Sequence, residues 1–170
     1  FNRRFDPQFE TIKNRVAAGD VGKLEQLVIL SRDPGPAPRA YIAVSGGIFR
    51  DMTIHDFDMA RNFVPDIVDV FAAGANVFSD DIKAENDYDS VNVVLRGRGG
   101  ELVTIVNSRH CAYGYDQRLE AFVPKAARFS GPAAHLPCNS SARAYSALRS
   151  APKARATAAQ ILASRADILD

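Results

Sequence analysis

The sequence predicts an α+β fold with a mostly antiparallel open sheet flanked by helices, and the order of its patterns carries the prediction. A helical pattern, a strand-like run and a second helical pattern are followed only by strand-like runs, with no βαβαβ alternation. The helical patterns cover residues 7–17 and 48–63, and the strand-like runs cover residues 23–31, 67–78, 90–95, 101–107 and 117–122. Of the 170 residues, 46% are hydrophobic, which is enough to bury one core.

The helix starts and the turns have recognisable residues. Asp6 and Pro7 are typical of a helix start, because an aspartate caps free amides and proline needs no N–H there. Three prolines and a glycine in residues 33–38 predict a loop. The segment RGRGG, residues 96–100, joins two β-rich runs and predicts an antiparallel hairpin.

The overall charge and the two cysteines bear on partners and compartment. A formal net charge of +1 argues against binding to nucleic acid or a membrane surface through bulk charge. No apolar run is long enough to span a bilayer. Two thiols, Cys111 and Cys138, favour a reduced cytoplasmic protein, with a disulfide between them as the alternative.

Charge and composition change together near Phe122. Residues 1–122 have a net charge of −4, whereas residues 123–170 have +5 and are half Ala, Ser and Pro. We therefore predict one domain over residues 1–122 and a divergent, poorly ordered tail over residues 123–170. There are three interpretations of this tail: a solvated tail, a basic tail that touches RNA or an acidic partner, and the product of a shifted reading frame.

One pair of residues suggests chemistry. Asp51 and His55 are four positions apart in the second predicted helix, so both would leave the same face and could touch. A carboxylate that orients an imidazole suits general acid–base catalysis near neutral pH. An exposed ion pair is the competing interpretation, and a metal site that adds Asp58 is poorly supported, so we predict no metal.

Two further features could belong to a site. Gly46 and Gly47 either let the backbone approach a ligand or make a turn. Tyr113 and Tyr115 flank a glycine in a polar, aromatic segment, so they either aim hydroxyls into a cleft or pack at the sheet edge.

Four segments give the chain a family resemblance. They are FNRRFD at residues 1–6, SRDP at 31–34, SGGIFRDMTIHDFDMAR at 45–61 and AYGYDQR at 112–118. In this order they resemble the C-terminal domain of the Gfo/Idh/MocA oxidoreductases, most closely the inositol 2-dehydrogenase branch, from residue 1 to about residue 122. The resemblance implies a fold like the C-terminal domains of dihydrodipicolinate reductase and glyceraldehyde-phosphate dehydrogenase, truncated here, whose open sheet face builds a homo-oligomer.

The resemblance also implies an activity. Enzymes of this type oxidise a polyol hydroxyl to a ketone with NAD or NADP, and the family's Asp-x-x-x-His pair falls on Asp51 and His55. His55 would then take the hydroxyl proton, Asp51 would orient substrate and ring, and Tyr113 or Tyr115 would contact an inositol-like polyol. A membrane or nucleic-acid partner is not implied.

The cofactor half of such an enzyme has no counterpart in this sequence. No strand is followed by G-x-G-x-x-G and a helix, and the family's Glu-Lys-Pro lysine motif is missing. We therefore expect no cofactor on this chain alone and no turnover by it. The alternatives are a non-catalytic assembly or regulatory module that pairs with a full-length dehydrogenase, and a fragment that complements a separate cofactor-binding chain.

Overall fold

The computed structural model describes residues 1–19, 21–124 and 126–131, with backbone alone for the last range. A 3-10 turn at Asn2–Phe5 precedes the first helix, and a π-helical turn at Phe49–Thr53 leads directly into the third. The helices are α1 Pro7–Ala17, α2 Arg39–Ser45, α3 Ile54–Phe63 and α4 Asp80–Ala84. The strands are β1 Gln26–Arg32, β2 Ile67–Ala75, β3 Ser90–Gly97, β4 Leu102–Ser108, β5 Asp116–Val123 and β6 Ala126–Gly131.

The strands form one sheet in the order β2-β3-β4-β1-β5-β6. Four neighbouring pairs are antiparallel, including the predicted β3–β4 hairpin, and only β1 and β4 run parallel. The predicted α+β class with a mostly antiparallel sheet is confirmed. Sequence patterns did not indicate the short helices α2 and α4 or the parallel pairing in the middle of the sheet.

Local sequence explains how α1 begins and how the hairpin closes. The Asp6 carboxylate accepts the Gln8 N–H at 2.9 Å, so the predicted cap forms. In the hairpin, Gly97 N–H donates to the Glu101 carbonyl at 2.8 Å, and Gly100 adopts a φ of +91°. Glycine suits that left-handed position because it has no Cβ.

The hydrophobic core lies between one face of the sheet and the helices α1 and α3. Alternate residues of the central strands point into it, as the period of two along a strand requires. The core includes Phe9 and Ile12 of α1, Met59 and Phe63 of α3, and the strand residues Leu27, Ile29, Val93, Leu95, Val103, Ile105 and Leu119. This packing fixes α3, and with it the segment that bears Asp51 and His55, over the sheet.

The opposite face of the sheet is open in the described chain. Phe71, Val94, Leu102 and Phe122 are exposed on it. The predicted boundary near Phe122 is followed by one further strand, β6, and residues 132–170 of the predicted tail lie outside the described residues. No described helix has the length and apolarity needed to cross a bilayer.

The two cysteines are described to different extents. Cys111 is a buried free thiol among the described residues. Cys138 lies outside the described residues.

Candidate functional site

The segment that carries Asp51 and His55 starts at an unusual backbone. Gly46 and Gly47 have φ values of +83° and +88°, a left-handed conformation that favours glycine. The Ile48 N–H then donates to Asp87 Oδ1 at 2.8 Å, which supplies a carboxylate at the helix start. A π-helical turn follows, of a kind that is frequent at functional sites.

The Asp51 carboxylate is held by two groups from outside its own helix. The Tyr41 hydroxyl of α2 donates to Asp51 Oδ1 at 2.6 Å, and Arg109 Nη1 donates to Asp51 Oδ2 at 2.9 Å. The hydrogen bond to Asp51, and then the carboxylate's charge, raise the pKa of Tyr41. The Asp51 side chain keeps an exposed fraction of 19%, so a ligand can still reach it.

The predicted contact between Asp51 and His55 does not form. No hydrogen bond joins the two side chains among the described residues, because both Asp51 oxygens turn toward Tyr41 and Arg109. The π-helical turn also breaks the regular one-turn relationship of positions i and i+4 on which the prediction rested. Asp51 is therefore anchored to α2 and to the end of β4 rather than to the imidazole.

Arg109 is the buried link in this arrangement. Its side chain is 2% exposed, and its Nη2 donates to Asp87 Oδ2 at 3.1 Å while Nη1 holds Asp51. One guanidinium thus connects the π-helical turn with the loop before β3. Asp33 lies in the same electrostatic neighbourhood: burial raises its pKa, the charge of Arg109 opposes the rise, and that of Asp51 adds to it.

His55 is half-buried and is held by an aromatic contact. The rings of Phe1 and His55 meet edge to face, with centroids 5.6 Å apart and an interplanar angle of 79°. The buried Nδ1 of His55 has no hydrogen-bond partner among the described residues.

Asp56, next to His55, points the other way into the core. It accepts hydrogen bonds from Arg3 Nη1, from Ser31 Oγ at 2.8 Å and from Asn107 Nδ2 at 2.6 Å. Burial raises the pKa of Asp56, and the charge of Arg3 and these hydrogen bonds act in the opposite direction. This network anchors α3 to the N-terminal 3-10 turn and to the sheet.

The carboxylate of Asp58 is also bound, in this case by Arg4. Arg4 donates to it through two nitrogens, at 2.7 and 2.6 Å. Within the described ranges, no three His, Cys, Asp or Glu side chains are placed to hold a metal ion.

Four buried polar atoms in the described chain lack a hydrogen-bond partner, and they lie on two short segments. Thr53 Oγ1 and His55 Nδ1 belong to the segment that starts α3, and Asn107 Oδ1 and Arg109 Nε belong to the end of β4. Buried polar atoms are nearly always paired, so each unpaired one calls for an explanation. Three of the four residues flank Asp51 in the chain or bind it: Thr53 and His55 follow Asp51, and Arg109 donates to its carboxylate.

Tyr113 and Tyr115 lie in the turn between β4 and β5, and both are exposed. The Tyr113 hydroxyl donates to Asp116 Oδ2 at 2.6 Å and accepts from Arg32 Nη1 at 3.1 Å. It lines a cleft of about 370 Å³ with Ser90, Val106 and His110, beside the open face of the sheet.

Tyr115 bonds to Gln117 across 2.7 Å. The Gln117 amide, oriented with its oxygen toward Arg3, accepts Arg3 Nε at 2.9 Å. Neither tyrosine hydrogen-bonds to Asp51 or His55 in the described chain.

Sequence reasoning missed Tyr41, Arg109 and Asn107. Asn107 lies near the end of β4 and Arg109 directly follows that strand, but the polar pattern there gave no sign that they reach Asp56 and Asp51. Tyr41 follows a proline-rich loop, in a helix of seven residues too short for a periodic pattern.

A mostly antiparallel sheet with helices on one face, and an Asp-x-x-x-His segment held over it, define an α+β domain with a polar candidate site. The family model of the GFO/IDH/MocA C-terminal domain matches residues 9–127. The chain belongs to this family.

Two of the similar proteins are inositol 2-dehydrogenases. The chain is 50% identical over 131 residues to a myo-inositol 2-dehydrogenase from Thermotoga maritima and 48% identical over 128 residues to an inositol 2-dehydrogenase from Rhizobium meliloti. These matches cover 76% and 75% of the chain but only 39% of each relative, so the chain spans well under half of their length.

Solved structures agree with these matches. A myo-inositol dehydrogenase from Corynebacterium glutamicum matches with a TM-score of 0.74 and 68% identity, over 76% of this chain and 39% of that one. A scyllo-inositol dehydrogenase from Lactobacillus casei, solved with NAD(H) and scyllo-inositol, matches with a TM-score of 0.65 and 27% identity, over 79% and 41%.

Proposed function

We propose that this chain is the substrate-binding half of an NAD- or NADP-dependent oxidoreductase of the inositol 2-dehydrogenase type. The observation that carries the proposal is the partly exposed Asp51 carboxylate of the Asp-x-x-x-His segment, held by Tyr41 and Arg109, in a chain 50% identical to a myo-inositol 2-dehydrogenase. A polyol offers hydroxyl groups that both donate and accept, and these can donate to the free acceptor positions of that carboxylate.

His55 is the proposed base. Oxidation of a secondary alcohol to a ketone removes the hydroxyl proton as the carbon loses its hydrogen, so a proton acceptor is needed at that oxygen. An imidazole suits this task near neutral pH. The edge contact with Phe1 fixes the ring plane of His55, which restricts the direction from which a hydroxyl can approach.

Asp51 is the proposed hydroxyl acceptor rather than the group that orients the imidazole. A carboxylate has about four acceptor positions, of which Tyr41 and Arg109 use two. The remaining positions can accept hydroxyl groups of the polyol and so orient the ring that carries the reacting carbon. Tyr113 and Tyr115 are proposed to contact substrate, although their hydroxyls bond to Asp116 and Gln117.

The described residues do not fit a dinucleotide. Gly97 and Gly100 lie in the β3–β4 hairpin, and Gly46 and Gly47 lie between α2 and the π-helical turn. Neither pair follows a parallel strand and opens a helix, as pyrophosphate binding requires. The role that we propose for the described residues is therefore confined to binding the alcohol and taking its proton.

A polyol titration of the purified chain tests the proposal. Nuclear magnetic resonance of the imidazoles should show saturable shifts of His55 with myo-inositol, and His55→Gln and Asp51→Asn should weaken binding at least tenfold. Asp69→Asn is the matched control for Asp51→Asn, because Asp69 is an exposed carboxylate paired with Arg96 on strands β2 and β3 and should leave the affinity unchanged. Absence of saturable binding at the solubility limit of the polyol would contradict the proposal.

The open face of the sheet suggests a second role for this chain, which is to associate with another protein chain. Its exposed Phe71, Val94 and Phe122 form an apolar surface, and such surfaces mark interaction sites. We propose a homo-oligomer built through this face in the cytoplasm. The second candidate function, an assembly or regulatory module that pairs with a full-length dehydrogenase, uses the same surface, and co-purification with such an enzyme would favour it.

A further inference from the structure

Two residues outside the Asp-x-x-x-His segment determine where the Asp51 carboxylate points. Tyr41 reaches Oδ1 from α2, and Arg109 reaches Oδ2 from the end of β4, so the carboxylate is fixed from two different elements. A carboxylate held at both oxygens cannot rotate freely, and its remaining acceptor positions have fixed directions.

We propose that Tyr41 and Arg109 are positioning residues which set the stereochemical preference of the site by fixing the direction of the Asp51 carboxylate. The inference rests on the proposed function, since it assumes a cyclic polyol as the ligand. Isomeric inositols have the same number of hydroxyls and differ only in their orientation on the ring. A carboxylate with fixed acceptor positions discriminates between such isomers, whereas a freely rotating one adapts to both.

The environments of the two residues support this role. Arg109 is buried and is itself fixed by Asp87, which also binds the Ile48 N–H at the start of the same helical segment. Tyr41 is 48% exposed, so it is not needed to fill the core, and its hydroxyl still makes a 2.6 Å hydrogen bond. The Asp51 anion that raises the pKa of Tyr41 keeps this hydroxyl protonated, and therefore able to donate, over the neutral range.

The test measures the Kd of myo-inositol and of scyllo-inositol for the 170-residue chain and three variants. Tyr41→Phe removes only the donor to Asp51, and Arg109→Lys keeps the charge but loses the fork that bridges two carboxylates. Tyr88→Phe is the matched control, because it removes a tyrosine hydroxyl from a neighbouring loop without touching a hydrogen bond of Asp51.

We expect Tyr41→Phe to raise the Kd of the preferred isomer about threefold to tenfold and that of the other isomer less, so that the preference shrinks. Arg109→Lys should reduce the preference further, and Tyr88→Phe should keep it. Because Tyr41 is exposed, its variant remains a valid test even where Arg109→Lys fails to fold.

Four outcomes would overturn the inference. Equal weakening of both isomers by Tyr41→Phe would mean a structural role only, and tighter binding would mean that the tyrosine competes with the ligand. An unchanged preference in Tyr41→Phe, with normal binding by the wild-type chain, would contradict this inference and leave the proposed function standing. Failure of the wild-type chain to bind either isomer would overturn both.

Discussion

Asp56 is the residue whose buried charge ties α3 to the rest of the molecule. It is fully buried, and the guanidinium of Arg3 faces it with a side-chain exposure of 15%. Removal of one partner from a buried ion pair leaves the other charge without compensation.

Asp56→Ala should therefore lower the free energy of unfolding by about 3 kcal/mol, since Arg3 would keep its charge without an anion. Urea unfolding followed by circular dichroism measures the change. The control is Asp69→Ala, which breaks an exposed pair with Arg96 and should cost no more than about 0.5 kcal/mol. Equal losses in the two variants would show that burial of Asp56 does not matter.

Asp116 makes the folding stability depend on pH, and the direction of its pKa shift gives the sign of that dependence. Hydrogen bonds from Arg118 lower the pKa of Asp116, with the Tyr113 hydroxyl adding to the effect. A carboxyl with a lowered folded pKa contributes stability above its unfolded pKa of about 3.9, and the contribution is lost as the pH falls through the folded value.

The stability difference between the wild-type chain and Asp116→Asn should accordingly be largest at neutral pH and shrink below about pH 4. Denaturant unfolding at neutral and acid pH measures it. A difference that grows on acidification would mean that the carboxyl does not have a lowered pKa in the folded chain.

At the scale of the element, the start of the π-helical turn depends on Gly47. Its φ is +88°, and a Cβ there would lie 3.1 Å from Asp87 Oδ1, the atom that accepts the Ile48 N–H. An alanine would meet both a backbone cost and a close contact.

Gly47→Ala should lower the free energy of unfolding by about 2 kcal/mol. Gly100→Ala is the matched control, because Gly100 has a φ of +91° but nothing within 4 Å of a Cβ, so its cost is the backbone cost alone. Thermal unfolding of both variants separates the two effects. A larger loss in Gly100→Ala would show that the contact with Asp87 is unimportant.

Sequence patterns predicted elements that have local causes. Asp6 and Pro7 gave the start of α1, and the glycine-rich link gave the β3–β4 hairpin, because each signal lies within a few residues of its effect. The spacing of Asp51 and His55 placed them correctly on one helical segment, but the π-helical turn within it has no clear sequence signal.

Features that depend on distant residues could not be predicted in this way. β1 pairs in parallel with β4, and Arg109 hydrogen-bonds to Asp51. Both interactions join segments that are far apart in the chain. One sequence read by periodicity contains no information about which distant segments meet. The tyrosines at 113 and 115 were identified by composition, and their roles in substrate binding stay predictions.

For the whole molecule, we expect the open face of the sheet to have the largest effect on whether the chain associates with itself. Val94 lies on this face in β3, opposite Phe71 on β2 and Thr104 on β4. Val94→Lys should convert an associated chain to a monomer, because a charge would be buried in the contact between apolar faces.

Light scattering coupled to size-exclusion chromatography measures the mass. Val44→Lys is the control, since Val44 is 80% exposed but lies on α2 away from the sheet, and it should leave the mass unchanged. A compact monomer for the wild-type chain would contradict association through this face.

The place of β1 in the sheet has a consequence for synthesis on the ribosome. Among the described strands β1 comes first in the chain, yet its neighbours on either side are β4 and β5, which are translated later. A nascent chain therefore carries an unpaired, apolar β1 until β4 has left the exit tunnel and keeps one edge of β1 open until β5 follows, and long-range pairing of this kind is slow to form. Chaperones that shield such segments during translation should raise the yield of native protein.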